Sequence, residues 1–114
     1  MIKNSCFFEV TRTQGALELT LRGEIDHHGA VRVRTEMDAL IYEERPKKVI
    51  LDLSEIEFMD SSGLGLIMGR FALMQNLGGE LTLRNPNARI LKIFELAGLG
   101  RMIQLEPLQK EDVQ

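Results

Sequence analysis

A second cysteine is missing from this sequence: Cys6 stands alone near the N-terminus. One thiol excludes a disulfide framework and leaves no second sulfur for a metal or redox pair, so a reducing cytoplasm is the expected compartment. Nowhere do about 18 apolar residues run together, and Met1-Ile2-Lys3-Asn4-Ser5 lacks the continuous apolar core of an export signal. Neither export nor a membrane span is expected. Basic charge is also scarce. The formal net charge is −3, the pI is near 5.4, and no Lys/Arg cluster alternates with aromatics. A surface of this kind is not built to neutralise phosphates, which argues against a direct nucleic-acid partner.

What is present is ordinary for a folded domain: 44% hydrophobic and 27% charged residues in a chain of 114. A chain of that size buries about two thirds of its unfolded surface and holds one core without staples. One domain over residues 1–114 is expected, with a polar tail from about Glu106. Each apolar stripe has a sheet to cover, so the free protein is expected to be a monomer.

Phe7 to Thr13 and Ala16 to Arg22 alternate, with Leu17, Leu19 and Leu21 on one face, and Gln14-Gly15 between them predicts a hairpin. Gly23-Glu24-Ile25-Asp26-His27-His28-Gly29 interrupts the alternation. Ala30, Val33, Met37, Leu40 and Ile41 then recur at helical spacing, which predicts a helix over roughly His28 to Glu44, capped by Asp26 and ended by Arg45-Pro46. Lys47 to Leu53 is rich in branched residues and predicts a central strand covered on both faces. Leu64, Ile67, Met68, Phe71, Met74 and Leu77 make the stripe of a second helix that Gly78-Gly79 stops. Glu80 to Arg84 alternates as a strand, Asn85-Pro86 reads as the cap and first residue of a third helix, Gly98 ends that helix, and Met102 to Leu105 makes a last strand. This order predicts an α/β fold, a mostly parallel mixed sheet with an N-terminal hairpin strand and packed helices. Periodicity is compatible with helices on one face or on both.

The stretch that organises the chain is Phe58-Met59-Asp60-Ser61-Ser62-Gly63-Leu64-Gly65. Two hydroxyls and a carboxylate stand where a strand gives way to a helix, facing free backbone N–H groups and the positive end of the helix dipole. Asp60 or Ser61 can serve as an N-cap, and the same geometry suits a phosphorylated serine. Gly63 and Gly65 cost about 1 kcal/mol each in helix propensity, and a cap gains nothing from them. An approaching partner backbone gains access to Ser61.

Other chemistries fit poorly. Gly63, Gly65 and Gly69 space as G-x-G-x-x-x-G, one residue longer than the dinucleotide fingerprint, and no G-x-x-x-x-G-K-[ST] loop occurs. Ser61 or Ser62, His27 or His28, and Asp26 or Asp60 supply the residue types of a nucleophile triad, but His and Asp adjacent in one turn do not form its relay, and the G-x-S-x-G elbow is absent. No spaced Cys/His/Glu set accompanies the two histidines. The expectation is a protein that is not an enzyme, with no catalytic residue, cofactor or metal.

Val49-Ile50-Leu51-Asp52-Leu53 followed by Phe58-Met59-Asp60-Ser61-Ser62-Gly63-Leu64-Gly65 resembles the signature of the STAS domain of bacterial anti-sigma factor antagonists. Leu21-Arg22-Gly23-Glu24-Ile25-Asp26-His27-His28 and Leu96-Ala97-Gly98-Leu99 extend the resemblance over about 90 residues, closest to the sporulation sigma-F type. It implies four helices around a mixed sheet, with a short helix in the tail. It further implies that the unmodified protein binds an anti-sigma factor that is also a serine kinase, that the kinase phosphorylates the serine after the motif aspartate, Ser61 here, and that a metal-dependent serine phosphatase reverses the step. Glu24, Asp26, His27, Met59, Asp60, Ser62, Gly63 and Leu64 are then the candidate partner contacts, with Ser62 a secondary acceptor and capping an alternative role for Asp26. A second reading keeps the fold as a constitutive or nucleotide-responsive scaffold; a third, an esterase-like enzyme, requires turnover that responds to Ser61→Ala.

Overall fold

The structure is a computed structural model that describes residues 6–98 and 104–106. Its elements follow the order β1 (Phe7–Thr13), β2 (Ala16–Ile25), α1 (His27–Glu44), β3 (Lys48–Met59), α2 (Ser61–Asn76), β4 (Glu80–Arg84), α3 (Ala88–Leu96) and β5 (Gln104–Glu106). The strands form one five-stranded sheet in the order β1-β2-β3-β4-β5, with β1 antiparallel to β2 and every other pair parallel. β3 is thus the central strand. Right-handed crossovers between successive neighbours put each helix on the same face. Buried residues of α1 (Val33, Met37, Ile41), α2 (Leu66, Ile67, Met74) and α3 (Ile90, Phe94) accordingly join Leu17, Leu19, Leu21, Val49, Leu51, Leu53, Leu81 and Leu83 in one core.

Alternation decides which strand residues enter that core. Leu17 pairs with Val49 and Leu19 with Leu51, so the apolar sides of β2 and β3 register. The cover expected on both faces of β3 is met only in part. Ile50 is buried but outside the core, in a row with Glu18 and Thr82, and Asp52 follows it half-buried. That second face is polar and laced by charge: Arg84 Nη1 meets Glu18 Oε1 at 3.1 Å across β3, and Arg22 reaches Glu9 at 2.9 Å and Glu55 at 3.3 Å.

The sequence boundaries hold for β1 and β4 and shift elsewhere. β2 runs on to Ile25 and β3 to Met59, so Glu24 is a strand residue, half-buried, rather than part of a loop. The added segments pair with each other past register irregularities between Thr20 and Arg22 and between Gly23 and Glu24, which break the period-two pattern by which strand ends are read. α3 is capped by Asn87, whose side chain accepts from the Ile90 N–H at 2.8 Å, and not by Asn85. A cap needs extended backbone, and Asn85 sits in the left-handed region at φ 57°. The buried face of α2 is shifted: Ile67 and Met74 of the expected stripe are buried together with Leu66 and Arg70, whereas Leu64, Met68, Phe71 and Leu77 pack at the core's edge. Met102 and the tail beyond Glu106, with the short helix the resemblance implies there, lie outside the described residues.

Candidate functional site

The parallel pairing of β2 and β3 ends with Ile25 opposite Met59, and the chain turns into a helix immediately after each. Two helix N-termini therefore stand side by side on one edge of the sheet. Asp26 caps α1 by accepting from the Gly29 N–H at 2.8 Å, and Asp60 caps α2 by accepting from the Ser62 N–H at 2.8 Å. Asp60, not Ser61, is the N-cap, and its own N–H donates to the Ile25 carbonyl at 3.3 Å, which ties the two strand ends together. Each carboxylate faces the positive end of a helix dipole and satisfies one of its free donors.

With Asp60 capping, Ser61 becomes the first helical residue of α2, exposed, its hydroxyl in no hydrogen bond among the described residues. The two serines face different sides. Ser61 lines a cleft of about 280 Å³ with Phe58, Met59, Asp60 and Leu64, closed on the far side by Arg89 and Ile93 of α3. Ser62 lines a groove of about 240 Å³ between α1 and α2, with His27, Val31, Arg34 and Gly65 among its walls. His27 opens α1, exposed beside His28 with ring centroids 5.8 Å apart. Ser61 and His27 thus share the edge but not a cleft, whereas Ser62 and His27 line the same groove. Among the described residues, no group of three or more His, Cys, Asp or Glu side chains could hold a metal ion.

The glycines of the motif divide. A Cβ on Gly63 would run into the Met59 side chain, so this glycine exists for packing inside the chain and is buried. Nothing lies within 4 Å of a Cβ built on Gly65 or Gly69. The reading of the pair as access for a partner is therefore corrected for Gly63, while Gly65 leaves open space in the Ser62 groove.

A buried ion pair braces the two helices behind the site. Arg70 of α2, 5% exposed, places Nε 2.9 Å from Asp38 Oδ1 of α1, in ion-pair reach but poorly aligned for a hydrogen bond, and donates from Nη1 to the Leu66 carbonyl at 3.3 Å. Burial pushes the guanidinium pKa down from its ordinary value, and Asp38 opposes that shift. Separating the helices would leave the buried Arg70 guanidinium without its carboxylate.

Sequence reasoning missed Arg89, Ile93, Val31 and Arg34 as walls of these clefts. Only sheet order, which sets α3 beside α2 and α1 on its other side, brings them to the motif. No helix is long and apolar enough to cross a membrane among the described residues.

The STAS domain profile matches residues 7–111. The chain is 35% identical over 97 residues to the anti-sigma F factor antagonist of Paenibacillus polymyxa, covering 85% of this chain and 83% of that protein. It is 28% identical over 106 residues to the anti-sigma-B factor antagonist of Bacillus subtilis (strain 168), covering 93% and 95%. The anti-sigma factor antagonist SpoIIAA in its unphosphorylated form superposes with a TM-score of 0.77 at 29% identity, covering 94% of this chain and 92% of that one. The phosphorylated form of the Bacillus cell fate determinant SpoIIAA gives a TM-score of 0.74 at 29% identity, covering 94% and 96%.

Proposed function

Because this chain belongs to the STAS domain family, we propose that it is an anti-sigma factor antagonist whose unphosphorylated form binds an anti-sigma factor with serine kinase activity and frees the sigma factor, and that phosphorylation of Ser61 switches this binding off. The observation that carries the reading is the placement of Ser61, an exposed hydroxyl on the first turn of α2, beside a cleft with apolar walls and a cap that leaves it free. The protein acts as substrate and switch, not as catalyst, in the cytoplasm, and a metal-dependent serine phosphatase restores the binding form. Sporulation is the setting that its likeness to anti-sigma F factor antagonists supports.

The physics of the switch is local. Phosphate brings a charge of about −1.5 to −2 to the rim formed by Phe58, Met59 and Leu64, next to the Asp60 carboxylate. An interface that seats a neutral serine and dry apolar contacts then loses both. The fold tolerates the same group, since a helix N-terminus favours an anion and Asp60 already holds the cap. Glu24, Asp26, His27, Met59, Asp60, Ser62 and Leu64 are the proposed partner contacts, as the edge around the two caps. Gly63 acts indirectly, by admitting Met59. Phosphopeptide mapping of the protein isolated from its native cells tests the acceptor: modification on Ser61 is expected, and modification confined to Ser62 or absent altogether overturns it.

A further inference from the structure

The cleft beside Ser61 already contains a cation. Arg89 is the second residue of α3, exposed, and makes no ion pair among the described residues, although it lines the same cleft as Ser61. Arg12, Arg22, Arg32, Arg70 and Arg84 all engage carboxylates elsewhere in the fold. The cleft's only other charged wall among the described residues is Asp60, whose Oδ1 accepts from the Ser62 N–H. An arginine lining the same cleft as a modifiable hydroxyl offers a phosphate two parallel N–H groups that match two of its oxygens.

We propose that Arg89 is the internal receptor of the phosphate on Ser61, drawing it into the chain's own cleft between α2 and α3. The inference rests on the reading of Ser61 as the acceptor. Its consequence is a second means of switching. The phosphate adds charge to the rim, and once paired with Arg89 it also fills the space between Leu64 and Ile93 that a partner's apolar side chain would enter. Asp60 lines the same cleft, so the Arg89 guanidinium also offsets the repulsion between that carboxylate and the phosphate.

The test uses full-length protein carrying phosphoserine introduced at position 61 during translation, so that it does not depend on any kinase. Phosphorus NMR follows the second ionisation of the phosphate, whose ordinary midpoint is about 6. A guanidinium partner favours the dianion, so the midpoint in the wild-type chain is expected about half a unit or more below that in Arg89→Ala, with Arg89→Lys intermediate. The difference shrinks as salt is raised. Lys92→Ala, which removes a cation of α3 outside the cleft, leaves the midpoint at the wild-type value. Equal midpoints in wild type and Arg89→Ala overturn the role of Arg89 and leave Ser61 as acceptor untouched. Failure of phosphopeptide mapping to find Ser61 modified overturns both.

Discussion

The Met59 side chain lies over the backbone of Gly63, in the space that a Cβ there would need. The last residue of β3 thus packs against the first turn of α2, with the Asp60 cap between them. Gly63→Ala forces Met59 out of its buried position, an overpacking cost of about 1–3 kcal/mol that exceeds the propensity gain of up to about 1 kcal/mol. The urea midpoint of Gly63→Ala is expected below wild type. An unchanged or raised midpoint would show that Met59 repacks freely.

Gly65 is the opposite case. It is exposed on α2, with nothing within 4 Å of the point where an added Cβ would stand, so Gly65→Ala is expected to stabilise the fold by up to about 1 kcal/mol. The same methyl stands in the groove beside Ser62. Capture of the proposed anti-sigma factor partner is expected to weaken while the melting temperature rises. Raised stability with unchanged capture would remove this groove from the interface.

Cys6 is fully buried, and its thiol pKa is raised chiefly by desolvation. The unfolded thiol ionises first, so on alkalinisation the unfolded state binds fewer protons and stability falls. The contribution is complete below the ordinary thiol value of about 8.5 and is lost as pH rises through the raised one. Cys6→Ala is expected to lose less of its urea midpoint than wild type between about pH 7 and pH values well above about 8.5. Equal losses would mean that the thiol does not report this burial.

Much of this architecture is legible in the residues, and the reasons differ by element. β1 and β4 alternate without interruption, so their ends read correctly; Asp26, Gly78 and Gly98 mark helix ends by cap chemistry and positive φ. β3 reads as ending at Leu53 because Ser54, Glu55 and Glu57 are exposed and polar, and the strand there pairs with β2 alone past β4's end. Arg70 is invisible as a core residue because its burial depends on Asp38, 32 positions earlier on another helix. Within the site, Ser61 and the two aspartates are local features and could be read from the motif. Arg89 reaches Ser61's cleft only through the packing of α3 beside α2, a long-range relation that no local spacing encodes.

In the proposed switch, charge on Ser61 abolishes partner binding without unfolding the chain. It is tested most directly by a pull-down from the native cytoplasm with wild type, Ser61→Ala and Ser61→Asp as baits, each shown by circular dichroism to be equally folded. An anti-sigma factor with kinase activity retained by Ser61→Ala and lost from Ser61→Asp is the predicted result. Capture of the same partners by all three baits, or by none, would contradict it and leave Ser61 as a helix-start hydroxyl alone.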